Sequence, residues 1–130
     1  MKHLLSFNES VRDLMKPKSE EDILKSLKQK SKKHRNDLFY KECVSSLFNI
    51  NKLKMLLDSD VDIDLQDELG GNTRLMDASA VGNYDVVDLL IKHGADINLK
   101  NNYGKTALYI ASVNRKNDIV DLLKKHGAKE

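Results

Sequence analysis

Two segments of the chain repeat each other at a spacing of 33 residues. The stretch from Gly71 to Ala95 aligns with the stretch from Gly104 to Ala128, and 14 of the 25 aligned pairs are identical. A fixed period of about 33 residues is typical of helical repeat arrays. The spacing therefore predicts an all-α solenoid. Arrays of this kind bind other macromolecules, although the repeated framework does not name the partner.

A weaker copy of the same unit precedes these two. Residues 50–64 align with residues 84–98 at a spacing of 34. The extra residue is accounted for by the paired Gly70-Gly71, where the next unit has Gly104 alone. The repeat region, 37–130, is therefore predicted to hold three units: a degenerate one at 37–66, a full one at 67–100 and a C-terminal one at 101–130.

Each full unit is predicted to contain two helices, because its apolar residues recur at helical spacing. Thr73 and Thr106 are the expected N-caps, since a threonine hydroxyl oxygen can accept a hydrogen bond from a backbone N–H of the first turn. The predicted ranges are 73–81 and 84–93 in one unit, and 106–114 and 117–126 in the next.

Glycines are predicted to close these helices. Gly82, Gly94 and Gly127 each follow a helix, where a residue in the left-handed conformation commonly ends it. Arg115 stands at the position of Gly82, so a left-handed backbone there is expected to cost about 1 kcal/mol. Asp60 stands at the position of Gly94, and aspartate tolerates that conformation better than most residues do.

The residues ahead of the repeats are predicted to form a leader, 1–18, and a capping helix with a basic end, 19–36. Phe7, Val11 and Leu14 have the spacing of one face of a short helix in the leader. The capping helix is expected to begin after Ser19 and to run to about Lys33, because a serine followed by three acids is typical of a helix start. Its apolar face consists of Ile23, Leu24 and Leu27.

The degenerate unit is predicted to begin with a helix from Asp37 to Phe48, followed by one from Ile50 to Leu57. Cys43 lies on the apolar face of the first of these and is interpreted as a small buried hydrophobe. It is the single cysteine, so neither a disulfide framework nor a cysteine metal site is expected. An array of so few units is near the lower limit for a stable solenoid, so the capping helix is expected to pack on this unit.

The full units resemble ankyrin repeats, whose pattern contains Thr-Pro-Leu-His, a pair of alanines, Val-Val-x-Leu-Leu and Gly-Ala-Asp-Val-Asn. The resemblance covers residues 37–130 and implies an all-α ankyrin repeat solenoid of two to three repeats with an N-terminal helical cap. The matching residues are Gly71, Thr73, Leu75, Ala78, Gly82-Asn83, Val86-Val87, Leu89-Leu90 and Gly94-Ala95-Asp96-Ile97-Asn98 in one unit, and Gly104, Thr106, Leu108, Ala111, Ile119-Val120, Leu122-Leu123 and Gly127-Ala128 in the next.

This chain departs from the family pattern at the proline and histidine of Thr-Pro-Leu-His. Arg74 and Met76 stand there in one unit, and Ala107 and Tyr109 in the next. The departures remove a preset first-turn residue and a hydrogen bond between units, so the resemblance implies modest stability.

Two N-terminal segments resemble sequences seen elsewhere. Residues 14–27 resemble a lead-in found before ankyrin repeats in some microbial and viral proteins. The opening MKHLLSFNES resembles short leaders on proteins of large tailed bacteriophages, some of which direct internal proteins into the capsid.

The resemblance implies that a partner protein is bound by the hairpin tips and by the exposed side of the first helices. Tyr103 is the best candidate anchor, because aromatic side chains concentrate binding energy. The alternative is that Leu69 and Tyr103 only cover their turns. The full set of candidate binding residues is Ser46, Leu47, Leu69, Asn72, Ala80, Val81, Asn102, Tyr103, Lys105, Val113 and Asn114.

Charge is placed unevenly along the chain. The overall net charge is +2, but residues 1–36 hold 10 Lys/Arg and 5 Asp/Glu, whereas the remainder is net negative. The positive charge is concentrated in residues 27–36, which could contact phosphate or an acidic partner. The alternative is a solvated helix end, where cations interact favourably with the helix dipole.

The sequence offers little for catalysis or metal binding. Asp58, Asp60, Asp62 and Asp64 alternate like the start of a calcium loop, but the glycine and acid required later in such a loop are missing. His93 and His126 precede helix-closing glycines, where a ring can reach the last carbonyls. We therefore expect no enzyme and no cofactor.

Three functions remain open from the sequence. The first is a non-enzymatic protein-binding module, such as an inhibitor or adaptor, monomeric and cytoplasmic, in a microbe or its virus. The second is contact with nucleic acid or an acidic partner through residues 27–36, and the third is an internal phage protein, packaged in the virion, with a cleavable leader. No membrane span is expected, because no stretch approaches the roughly 18 apolar residues that one needs.

Overall fold

The computed structural model describes residues 19–129, which form helices and turns without a strand. The expected all-α fold is confirmed. The predicted leader, with its Phe7, Val11 and Leu14 face, lies outside the described residues. The helices of the described part are α1 (Glu20–Lys28), α2 (Lys32–Val44), α3 (Ile50–Asp58), α4 (Arg74–Val81), α5 (Tyr84–Lys92), α6 (Ala107–Val113) and α7 (Asn117–Lys125).

Helices α2 to α7 form three pairs that stack into two layers. The first helices of the pairs make the inner layer, in which α4 packs between α2 and α6. The second helices make the outer layer, in which α5 packs on α7. Leu75, Ala78, Leu90, Ala111 and Leu123 are among the side chains that are fully buried where these layers meet. The small alanines let neighbouring inner helices approach each other closely.

Helix α1 is the expected cap, and its contact is with α3. It therefore extends the outer layer by one helix, in the place that the second helix of a preceding unit would take. Leu27 is buried in the common core and Ile23 packs partly against it. Leu24, expected on the same face, is instead exposed.

The predicted end of the capping helix and the predicted start of the next helix are wrong. Helix α1 ends at Lys28 rather than Lys33, and α2 begins at Lys32 rather than Asp37. The Ser31 hydroxyl caps α2 by accepting a hydrogen bond from the His34 backbone N–H at 3.2 Å. The Arg35 guanidinium donates to the carbonyl of Leu27, at 3.4 Å, and to that of Lys30. Because one side chain satisfies carbonyls at the end of α1, the chain can turn there instead of continuing as helix.

The basic segment also ties the start of α2 to the turn that follows α3. The Lys32 ammonium lies 3.1 Å from an oxygen of Asp62 and 3.4 Å from one of Asp60. These carboxylates raise the pKa of Lys32, and the hydrogen bond with Asp62 has the largest effect. The Asn36 side chain accepts from the Asp62 backbone N–H at 3.0 Å. Part of the predicted basic end is thus engaged within the fold.

The predicted N-caps are confirmed in both full units. The Thr73 hydroxyl accepts from the Met76 backbone N–H at 3.3 Å, and the Thr106 hydroxyl accepts from that of Tyr109 at 3.3 Å. Helices α4 and α6 therefore start one residue after each threonine, as an N-cap requires.

The predicted left-handed positions are confirmed in the full units but not in the degenerate one. Gly82, Gly94 and Gly127 have φ of 86°, 87° and 93°. Arg115 has φ of 58° and is the one described residue other than glycine with positive φ. The expectation for Asp60 is wrong, because α3 ends in the extended residue Ser59 and needs no left-handed residue.

Candidate protein-binding surface

Two loops project from the inner layer, each organised by one polar side chain. We call residues 66–72 the first finger and residues 100–105 the second finger. In the first finger the Asp67 carboxylate accepts from the backbone N–H groups of Gly70 and Gly71, both at 2.8 Å. In the second finger the Asn101 amide oxygen accepts from the N–H groups of Tyr103, at 2.9 Å, and Lys105, at 3.0 Å. Equivalent side chains thus shape both tips.

This arrangement shifts the pKa of the Asp67 carboxyl. Burial alone would raise its pKa, but the N–H donors of Gly70, Asn72 and Gly71, together with the Arg74 charge, lower the pKa below the ordinary 3.8. Hydrogen bonds to the ionised form favour that form. The first finger is therefore held by a carboxylate that stays charged at neutral pH.

The two fingers are joined to each other. The Gln66 amide donates to the Lys100 carbonyl at 2.8 Å, and the Asn102 backbone N–H donates to the Gly70 carbonyl at 2.9 Å. A third bond runs from the Asn101 amide to the Asn72 amide oxygen at 2.9 Å. These bonds fix the spacing between the two tips before any partner binds.

The tips present two of the most exposed apolar side chains in the described part of the chain. Leu69 is 95% exposed and Tyr103 is 74% exposed. A Cβ atom at Gly70 would lie 3.5 Å from the Tyr103 ring, so the ring lies beside the residue that follows Leu69. Leu69 buries almost nothing, so the interpretation that it only covers its turn does not fit.

A second group of exposed apolar side chains follows the ends of the inner helices. Leu47, after α2, is 91% exposed. Val81 closes α4 and Val113 closes α6, and each is about half exposed. We call Leu47, Leu69, Val81, Tyr103 and Val113 the apolar row.

Most of the other predicted binding residues have structural roles or are partly covered. The Asn114 amide donates to the Ile110 carbonyl at the end of α6 at 2.8 Å. Lys105 places its ammonium 4.2 Å from the centre of the Tyr109 ring. Ala80 and Asn72 are half-buried, whereas Ser46 and Asn102 are exposed. Asn72 also donates to the Asp77 carboxylate at 3.4 Å, so it supports the first finger and helix α4 together.

A cleft of about 400 Å³ beside the first finger was missed from the sequence. Arg74 is buried at its base, with its guanidinium 4.7 Å from the centre of the Tyr40 ring and 3.3 Å from an Asp77 oxygen. Burial raises the pKa of Asp77, despite the opposing charge of Arg74. Tyr40 lies 34 residues before Arg74, so the repeat alignment places both on the same helix face and could have revealed the pair.

Cys43 is buried, as expected. Burial raises the pKa of its thiol to about 12. A thiol with such a pKa stays protonated at neutral pH, and the thiolate is the reactive form.

The aspartates that alternate from residue 58 serve the turns and the packing of the units. Asp60 and Asp62 pair with Lys32, and Asp64 accepts from the Asp96 backbone N–H at 2.9 Å. His93 lies 3.0 Å from the Leu89 carbonyl through Nδ1, as predicted for a ring near a helix end. Within residues 19–129, no group of three or more His, Cys, Asp or Glu is arranged to hold a metal ion.

Among the described helices, none is long and apolar enough to cross a membrane.

Comparison with known proteins identifies the repeat. The family model for ankyrin repeats in three copies matches residues 41–130. A stretch of 58 residues is 34% identical to the human 2-5A-dependent ribonuclease, and covers 45% of this chain and 8% of that protein. A stretch of 55 residues is 38% identical to the mouse ankyrin repeat and SAM domain-containing protein 6, and covers 42% of this chain and 6% of that protein.

Each of these matches spans less than a tenth of its relative, so the likeness concerns the repeats alone. Both relatives are mammalian, and the microbial or viral source expected from the N-terminal segments stays a prediction.

Proposed function

The chain belongs to the ankyrin repeat family, and we propose that it works by binding a partner protein through the apolar row, without catalysing a reaction. Ankyrin repeats are in general protein-protein interaction modules. What the present chain adds is a particular set of anchors: Leu47, Leu69, Val81, Tyr103 and Val113.

The exposure of the two finger tips is the observation that carries this proposal. Leucine and tyrosine side chains that stand almost free in water gain roughly 25 cal/mol for each Å² of apolar surface that a partner covers. Tyrosine is also enriched among the residues whose truncation weakens complexes most. Leu69 and Tyr103 lie on adjacent fingers, so one partner element can cover both.

The hydrogen bonds between the fingers support the same proposal. Binding costs free energy when loops must be ordered, and that cost falls when the loops are already held in place. The bonds from Gln66 to Lys100 and from Asn102 to Gly70 hold the first and second fingers at a fixed spacing. The surface therefore offers a partner two anchors that need little rearrangement.

We propose no catalytic activity for this surface. The buried Cys43 thiol is protonated, and the buried Arg74 is already paired with Asp77. The ribonuclease named among the relatives is matched over only 8% of its length, so its activity is not carried over to this chain.

Nucleic-acid contact through residues 27–36 is the weaker alternative. Lys32 is paired with Asp60 and Asp62, and Arg35 donates to carbonyls at the end of α1. Two of the five Lys and Arg residues in this segment thus serve the fold rather than a partner.

The packaged phage protein with a cleavable leader stays a separate prediction, because the leader lies outside the described residues. Intact-mass measurement of the natively expressed protein tests it: loss of residues 1–18 supports processing, and a full-length mass contradicts it.

Site-specific photo-crosslinking in the native host tests the proposal. A photo-reactive phenylalanine derivative is placed at Leu69 or Tyr103 and, as a matched control, at Lys92 on the outer layer. We expect the same protein to be crosslinked from both finger positions and not from position 92. Crosslinks that form only from the outer layer, or equally from all positions, would contradict the proposal.

A further inference from the structure

The last repeat carries a positively charged cleft at the end of the stack. The cleft has a volume of about 410 Å³ and lies between the second finger and the start of α6. It is lined by Lys100, Lys105 and Lys129 together with Thr106, Tyr109 and Asn98. We call it the lysine cleft.

The position of Tyr109 shows that this end is uncovered. Tyr109 is 33 residues after Met76, so the two hold the same place in successive units. Met76 is only 1% exposed because the next unit packs on it, whereas Tyr109 is 46% exposed. Within the described residues no further unit covers this face.

Among residues 19–129, none compensates the charge of the lysine cleft. No carboxylate lines the cleft, and within residues 19–129 none lies within 4.0 Å of the ammonium groups of Lys100, Lys105 or Lys129. By contrast Lys52 pairs with Glu42 at 3.1 Å and Lys92 pairs with Asp88 at 2.8 Å. Like charges that converge without a counter-charge attract an anionic group.

The ammonium of one lysine and the backbone of another contact neighbouring groups. The Lys105 ammonium lies 4.2 Å from the centre of the Tyr109 ring, which attracts a cation to its face. The Lys129 backbone N–H donates to the Asn98 amide oxygen at 2.9 Å. The Thr106 hydroxyl accepts from the Tyr109 N–H and still has its own proton to donate. The cleft thus combines three positive charges with a hydroxyl donor.

We propose that the lysine cleft receives an acidic segment of the partner protein, with its Asp or Glu carboxylates paired to Lys100, Lys105 and Lys129. This rests on the proposed function and names the chemistry of the partner. A protein ligand is favoured over nucleic acid because Lys105 belongs to the same finger as Tyr103, so a partner seated on the tips extends over the cleft. The three lysines of the cleft also lie together at one end of the stack, whereas a nucleic-acid strand needs a basic groove that follows its backbone.

The test uses the whole chain and a defined probe. Hexaglutamate with blocked ends is titrated into ¹⁵N-labelled protein at low and at moderate salt, with hexaglutamine as the neutral control and a hexanucleotide of thymidine as the competing anion. We expect hexaglutamate to shift the backbone amide signals of residues 98–109 and 129, with binding that weakens as salt rises.

Matched variants separate the cleft from overall charge. The triple variant Lys100→Gln, Lys105→Gln, Lys129→Gln is expected to weaken hexaglutamate binding by about tenfold or more, because each surface ion pair contributes up to about fivefold. The triple variant Lys25→Gln, Lys28→Gln, Lys33→Gln makes the same change in net charge and is expected to alter binding by less than about twofold. Tyr109→Phe should bind normally and Tyr109→Ala more weakly, since only the first keeps a ring beside Lys105.

Three outcomes would overturn the inference: equal losses from the two triple variants, shifts centred on residues 25–35, or tighter binding of the hexanucleotide in the cleft. Failure here is distinguishable from failure of the proposed function. Normal crosslinking at Tyr103 without hexaglutamate binding would contradict the inference about the lysine cleft but not the proposal for the apolar row. Hexaglutamate binding without a crosslink at Tyr103 would contradict the proposal for the apolar row but not the inference about the lysine cleft.

Discussion

The backbone of Arg115 is left-handed, and its replacement by glycine is expected to stabilise the protein. A residue with a Cβ atom pays about 1–2 kcal/mol in this conformation because the Cβ approaches the following carbonyl oxygen. Glycine avoids that cost but loses about 0.4–1 kcal/mol through the greater freedom of the unfolded chain. The net gain for Arg115→Gly is therefore about 0.5–1 kcal/mol. Arg115 is exposed and has no ion pair among the described residues, so little is lost with its side chain.

Urea unfolding and thermal melting measure this effect. A gain of that size corresponds to an increase in Tm of about 2–4 °C for a domain of this length. Arg115→Ala is the control, since it removes the same side chain but keeps the strain, and it should not stabilise. Gly94→Ala tests the reverse, because φ there is 87° and no atom lies within 4 Å of an added Cβ. A stability of Arg115→Gly equal to or below that of Arg115→Ala would refute the reasoning.

Three further outcomes are expected. Leu27→Ala should lower the free energy of unfolding, measured in urea, by about 2–4 kcal/mol, because this side chain is buried. Leu24→Ala, at an exposed position of the same helix, should change it by less than about 0.5 kcal/mol. Equal effects would contradict a capping role for α1. Because the pKa of Asp67 is lowered in the folded protein, its contribution to stability is fully present above the ordinary pKa of 3.8 and is lost as pH falls through the folded pKa. Asp67→Asn should therefore reduce the fall of Tm with decreasing pH in acid. A dependence of Tm on pH equal to that of the wild type would contradict this. Ala78→Leu should destabilise the protein by about 1–3 kcal/mol, because the larger side chain overpacks the inner layer. A stability equal to that of the wild type would contradict close packing of the helices at Ala78.

The parts of the fold that depend on neighbouring residues could be predicted from the sequence. Repetition and helical spacing predicted the helix pairs, because each unit carries its own apolar pattern. The caps at Thr73 and Thr106 and the left-handed residues Gly82 and Arg115 were predictable for the same reason, since each acts within a few residues of its own helix.

The parts that depend on distant residues could not be predicted in this way. The break between α1 and α2 is fixed in part by the contacts of Lys32 and Arg35 with Asp60, about 25 residues away. Polarity along residues 28–36 is uniform, so the sequence pattern gave no sign that Ser31 rather than Asn36 starts the helix. The bonds between the fingers, such as that from Asn101 to Asn72, join separate units and likewise leave no local pattern.

The candidate site was predictable only in its outline. The positions of Leu69 and Tyr103 at loop tips followed from the family resemblance, and their exposure agrees with it. Asn72 and Asn114 were expected to face a partner on the same argument, but each donates a hydrogen bond within the chain. Lys105 was expected there too, and its ammonium also lies against the Tyr109 ring. Spacing in a repeat indicates which side of a unit a residue lies on, and cannot show what its side chain reaches.

The central claim is that the finger tips bind the partner, and the affinity of the crosslinked protein for tip variants tests it most directly. Isothermal titration calorimetry compares the wild type with the double variant Leu69→Ala, Tyr103→Ala and with the double variant Asp88→Ala, Lys92→Ala on the outer layer. We expect the tip variant to lose at least about 2 kcal/mol of binding free energy, or about 30-fold in Kd, while the outer-layer variant binds normally. Both variants should keep the wild-type circular dichroism spectrum. Normal binding by the tip variant, together with loss of binding by the outer-layer variant, would contradict it.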